Sequence, residues 1–185
     1  RITPMLCGSS FRFKGVQRLM DGIINFLPSP PEVETIVGIN PYTHKEEDRP
    51  VEPNQPLSSL AFKLMTDPYL GRLTYVRIYS GTIRSGDSIL NANSGKRERV
   101  NKIVRMFANK REELKEAKAG DIVAVVGLKQ TLTGDTICDS KKPVCLPSIS
   151  FPQTVINMSI EPQSASERAK LADAIAALKR EDPTF

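Results

Sequence analysis

The chain has 185 residues, of which 39% are hydrophobic and 25% charged, with a formal net charge of +5. That is enough apolar material for a sizeable core in an ordinary soluble protein. No apolar run approaches the length that spans a bilayer, and no leader-like order of charged, apolar and small residues occurs, so a cytosolic protein is expected. Cys7, Cys138 and Cys145 are odd in number and lack C-x-x-C spacing, and His44 is the sole histidine. Reduced thiols are expected; a disulfide framework, a zinc site, a histidine-rich metal centre and a self-contained Ser-His-Asp triad are excluded.

From the amino end, Thr3 to Cys7 reads as a short strand closed by Gly8. A Ser-rich turn follows, then a helical pattern with Val16, Leu19, Met20, Ile23, Ile24 and Leu27 on one face, stopped by Pro28, Pro30 and Pro31. Strand, turn and helix in that order suggest the tail of an α/β domain over residues 1–28, in a chain that begins inside a domain. From Pro28 to Pro56 there are seven prolines and the charged patch Lys45 to Arg49, with little apolar periodicity. Residues 29–55 therefore read as a linker or surface excursion, with His44 a solvated loop residue.

Beyond Pro56, Leu60, Phe62 and Leu64 alternate with Ala61, Lys63 and Met65 as in a strand with one apolar face. Asp67 to Gly71 then turns the chain into the clearest strand-and-turn stretch, Tyr69 to Asn91. Leu73 to Tyr79 is β-branched, aromatic or aliphatic in the main, and Ser80-Gly81 and Ser85-Gly86-Asp87 let the backbone reverse, as at a corner of a small β-barrel. The Gly-Asp pair recurs at Gly120-Asp121 and Gly134-Asp135, each time opening an apolar strand. Unequal spacing argues against a true repeat; Gly supplies permissive dihedrals and Asp a short side chain that bonds nearby amides. Strands are expected at Ile122 to Val126 and around Ile137, and Asn109 to Lys118 reads as a loop or a helical turn. The fold class is mainly β, with a barrel over residues 56–146. Residues 147–185 hold a strand from Thr154 to Ile160, then a capping box at Ser164 to Glu167 opening a helix with Leu171, Ala174, Ile175 and Leu178 on one face. One strand and one helix suggest the start of a further α+β domain.

Charge is unevenly spread. Lys96 to Arg111 carries Lys96, Arg97, Arg99, Lys102, Arg105, Lys110 and Arg111 against one acid, Glu98, before the next acids at Glu112 and Glu113. Alternation along this run places several guanidinium groups on the outer face of a single strand whose other face packs inward. Taken alone, the run fits either a solvated charged face or an RNA-facing surface.

These stretches together resemble the elongation factor G family of ribosomal translocases, over essentially the whole length. LCGSSFRFKGVQRLMDGIINFLPSP is similar to the end of the family's GTPase domain. YVRIYSGTIRSGDSILN and RVNKIVRMFANKREELKEAKAGDIVAVVGLKQTLTGDTIC resemble its second domain, and ALKREDPTF its third. The resemblance implies a translation-factor β-barrel flanked by those two partial domains, in a protein that drives GTP-dependent movement of tRNA and mRNA on the ribosome. It implies that Ser9-Ser10-Phe11 is the fifth guanine-nucleotide motif, with Ser10 in place of the usual Ala, and that Arg97, Arg99, Lys102 and Arg105 face RNA. Its expected partners are small-subunit ribosomal RNA and ribosomal proteins, together with the factor's own GTPase domain and third domain, in a monomer without membrane contact. GTP and magnesium are the cofactors of the whole factor and none is expected for this piece, which lacks G-x-x-x-x-G-K-[ST] and N-K-x-D and so should not be an enzyme. A release-factor or ribosome-protection GTPase, a non-catalytic RNA-binding barrel and a structural spacer are the alternatives.

Overall fold

The computed structural model describes residues 3–33, 35–67, 69–107, 110–151, 154, 156, 158–162, 164–182 and 184, without the side chains of 165 and 166. Thr3 to Cys7 is not a strand; among the described residues it has no backbone neighbour to pair with. Helix α1 follows at Val16–Phe26. Strands β1, Thr35–Ile39, and β2, Glu46–Pro50, form an antiparallel hairpin within the segment expected to be a linker. Prolines conceal it because Pro41 lies in its connection and Pro50 at its end, where no ladder donor is needed. Cys145 extends the hairpin by exchanging both backbone bonds with Ile39, at 2.8 and 2.7 Å.

The barrel begins with β3, Ser58–Asp67, and β4, Gly71–Ser80. It continues through β5, Thr82–Arg84, β6, Ser88–Asn91, and β7, Lys96–Arg99. The next three strands are β8, Lys102–Phe107, β9, Lys110–Leu114, and β10, Glu116–Lys118. It ends with β11, Ile122–Val126, and β12, Thr136–Cys138. An eight-stranded antiparallel sheet runs β7-β6-β12-β3-β4-β11-β8-β9, and β5 pairs with β10 in a small second sheet. Ala61, Val76, Ile78, Ile83, Ile89, Ile103, Ala117, Val123, Val125 and Ile137, from both sheets, meet in one buried core. Full burial of each large aliphatic side chain there contributes about 1.5–3 kcal/mol. The stretch after β4 is therefore a corner at Gly81, where the chain leaves one sheet for the other, and not a hairpin. Strand β3 carries a register shift between Ala61 and Lys63, so Ala61 enters the core and Phe62 is half-buried, against simple alternation.

The three Gly-Asp turns share one geometry. Each glycine has a φ of +94° or +95°, and each aspartate carboxylate accepts from the amide three residues back: Arg84 at 2.8 Å, Lys118 at 2.9 Å and Leu132 at 2.7 Å. Of the charged stretch Asn109 to Lys118, read as a loop or helical turn, Asn109 lies outside the described residues and the rest is instead β9 and β10, joined at Lys115. Strand β9 is an edge strand with little buried side chain, so its charges leave no inward-facing period. Of the strand expected at Thr154 to Ile160, Val155 and Asn157 lie outside the described residues, and the remainder has no strand assignment. Helix α2, Ala165–Glu181, starts at its N-cap Ser164, whose carbonyl accepts the Glu167 amide at 3.2 Å. Glu181 accepts a hydrogen bond from the Thr66 hydroxyl, placing the helix end against β3.

Candidate nucleic-acid interface

The basic run does not form one strand. It is divided between β7 and β8, which lie far apart in the sheet order, by a link at Val100 and Asn101. Val100 is buried and its amide donates to the Asp87 carbonyl at 2.9 Å, while the Asn101 amide donates to the Val126 carbonyl at 2.9 Å. That link changes the parity of the alternation. On β7, Arg97 and Arg99 pair in register with Leu90 and Ser88, opposite the face that Ile89 turns to the main core; Leu90 is itself buried in a second, smaller cluster, whereas the two arginines are exposed. On β8, Arg105 shares its face with the core residue Ile103 and not with Lys102.

The four basic candidates consequently differ in the charge of their surroundings. Lys102 Nζ lies 3.2 Å from Glu113, and Arg105 lies 3.9 Å from Glu112 and 3.6 Å from Asp121. Arg97 and Arg99 are exposed and have no acidic partner among the described residues. Two of the four are thus partly neutralised from within, and two present their full charge to solvent.

Glu98, between those free arginines, has a different task. One carboxylate oxygen accepts from the Lys129 and Gln130 amides at 2.5 and 2.9 Å, and the other accepts from the Thr131 hydroxyl at 2.5 Å. From the opposite side Arg72 donates to the Lys129 carbonyl at 2.6 Å and to the Thr131 carbonyl. The loop between β11 and β12 is held by both clamps, with Leu128 and Thr131 buried and Lys129 and Gln130 exposed. Burial, reinforced by nearby Arg180, pulls the Arg72 guanidinium pKa down, and Glu98, Asp135 and Glu181 oppose that shift. Sequence reasoning overlooked Lys129 and Arg72. The available signal was Glu98 itself: a lone acid inside a basic run whose partners lie elsewhere in the chain.

Ser9, Ser10 and Phe11 lie in a separate turn before α1. The Ser9 and Lys14 backbones exchange hydrogen bonds at 3.0 Å, Ser10–Arg12 is a 3-10 turn, and Phe11 is exposed. A pocket of about 240 Å³ is lined by Leu6, Ser9, Ser10 and Lys14 among others. The Ser10 amide has no acceptor among the described residues, as expected in the first turn of a helix, and so fits a base carbonyl. Among the described residues, no three or more histidines, cysteines, aspartates and glutamates are grouped so as to hold a metal ion. No hydrogen bond or ion pair among the described residues joins this turn to the basic face.

Comparison with known proteins gives three findings. Residues 56–140 match the family described as "Elongation factor G domain 2", and residues 151–185 match "Elongation Factor G, domain III". A crystal structure of a protein from Thermus thermophilus is similar, with a TM-score of 0.70 and 25% sequence identity over 96% of this chain. The chain spans 24% of the length of that protein.

Proposed function

The chain belongs to the elongation factor G family, and from that membership we propose that its barrel is the RNA-contacting and domain-coupling part of a ribosomal translocase. The whole factor is a cytoplasmic, monomeric GTPase that moves tRNA and mRNA; GTP and magnesium are bound by residues outside this chain, with Ser10 reading the guanine edge through its backbone. GTP hydrolysis is not assigned to any residue here. Arg97 and Arg99, joined by Lys129, meet the phosphates of small-subunit ribosomal RNA. Lys102 and Arg105 serve mainly to tie β8 to β9 and to the Gly120-Asp121 turn that precedes β11.

The observation that carries this reading is the split between free and internally paired cations. Each phosphate neutralised contributes roughly 0.7 to 0.9 to the slope of log affinity against log salt. Replacing Arg97 and Arg99 together by Ala should therefore flatten the slope for binding of the factor to ribosomes by up to about two units. Replacing Lys102 and Arg105 should change it by less than about one unit. Equal slopes in wild type and the Arg97/Arg99 variant would remove the arginines from the interface.

A further inference from the structure

Away from β7, the tip joining β3 to β4 holds an exposed aromatic ring on a fixed base. Tyr69 is 86% exposed. Beneath it the Asp67 side chain is only 6% exposed, and its carboxylate accepts from the Tyr69 and Leu70 amides at 2.9 and 3.0 Å. It also accepts from Arg111 Nη2, on β9, at 2.7 Å. The two amide bonds, followed by the Arg111 charge, hold the Asp67 carboxyl below the ordinary carboxylate range. The Arg111 guanidinium carbon lies 5.5 Å from the centre of the Tyr69 ring. One face of the ring is thus backed by a cation tied to a buried carboxylate, and the other is open to water.

Fixing a turn and a long arginine side chain around a ring that stays exposed costs conformational entropy and removes little apolar surface from water. The Asp67 hydrogen bonds offset part of that cost in the free chain, but the exposed ring itself contributes little until something flat covers its open face. On the same strand, Lys110, the residue before Arg111, is exposed without an acidic partner among the described residues, and Phe107, opposite it in register, is 55% exposed. An aromatic face backed by Arg111, with the uncompensated charge of Lys110 one residue along the same strand, suits a ligand that offers a π-surface and a negative charge within one nucleotide. Resting on the ribosomal reading above, we propose that the Tyr69 ring is a stacking platform for an unpaired RNA base, with Arg111 and Asp67 as its positioning residues and Lys110 beside the adjoining phosphate.

The test uses the 185-residue chain and a short single-stranded RNA carrying one 2-aminopurine, whose fluorescence falls on stacking. Wild type, Tyr69→Phe and Tyr69→Trp should bind and quench it. Tyr69→Ala should lose quenching and bind about 5- to 150-fold more weakly, the range expected for one base–aromatic stack, with the salt slope unchanged because no charge is removed. Since Tyr69 is exposed, the melting temperature of Tyr69→Ala should match wild type, which separates loss of the platform from loss of fold. Unchanged affinity in Tyr69→Ala overturns the platform. If Arg97/Arg99 substitution still flattens the slope in that case, the ribosomal reading survives it. A loss in Tyr69→Phe equal to that in Tyr69→Ala assigns the effect to the hydroxyl and also overturns stacking. RNA binding with no quenching, together with weaker binding of Tyr69→Ala to RNA-free ribosomal proteins, makes the ring a protein contact and overturns the proposal.

Discussion

Cys138 illustrates how a single side chain ties stability to pH. It is fully buried at the end of β12, in a small cluster with Leu90, Ala92 and Val144. Burial pushes its thiol from the ordinary 9.0 up to about 11, against a backbone hydrogen bond from Val144 that favours the thiolate. The unfolded chain releases this proton first, so the contribution to stability is whole below about pH 9 and is lost as the pH rises toward 11. At about 1.4 kcal/mol per pH unit, the loss is on the order of 2–3 kcal/mol. Urea unfolding at about pH 8 and at about pH 11 should show this fall in wild type beyond that in Cys138→Ala, because the other groups titrating in this window are common to both. A thiol reagent should modify exposed Cys7 first and Cys138 only on unfolding. Carboxylates act in the opposite direction: Asp67 and Glu47, both held below their ordinary range by hydrogen bonds, lend stability above about pH 4–5 that is lost on acidification.

At the scale of elements, the barrel depends on backbone corners more than on any strand's propensity. Gly81 has a φ of +78°, and a Cβ there would come within 2.6 Å of the Gln55 carbonyl oxygen and 2.7 Å of Leu57 Cα. Gly86 has a φ of +94° with open space around it. Gly81→Ala combines left-handed strain with a backbone collision and should cost about 3–4 kcal/mol, while Gly86→Ala carries the strain alone and should cost about 1–2 kcal/mol. Urea midpoints of the two variants measure the difference; equal losses would mean that the corner at Gly81 relaxes. The three Gly-Asp turns were legible in the sequence because the pair acts locally, through its own dihedrals and an amide three residues back from the aspartate. The β1–β2 hairpin and β9 were not, because each owes its pairing to a partner strand and neither shows an inward apolar face of period two. The basic run misled for a related reason: its alternation is real on either side of Val100, but the buried Val100 and the Asn101–Val126 bond change its parity. Glu98 and Arg72 could not be joined to Lys129 by any local rule, since their bonds connect positions 31 and 57 residues apart.

Across the molecule, packing is concentrated between β3 and β12, and the two helices are only lightly attached. Helix α1 buries Gly22 alone among its residues, with Leu19 at 48%, Ile24 at 75% and Phe26 at 63% exposure. An 11-residue helix without a packed apolar face is marginal in water, because nucleation is costly and the hydrogen bonds gained are few. Its free energy of local opening should therefore lie near zero, whereas β3, β4 and β11, which share the core, should open only when the whole barrel unfolds. Trypsin under native conditions should cut first at Arg12, Lys14 or Arg18 and next within α2, whose apolar positions are at most half-buried. The barrel from β3 to β12 should persist. Mass spectrometry of a digestion time course reads the order directly. Cleavage at Arg84 or Arg97 before Arg18 would place the weak point in the barrel. Protection of α1 equal to that of β4 would mean that its apolar face is covered, and a concentration-dependent sedimentation coefficient would then identify a second copy of the chain as the cover.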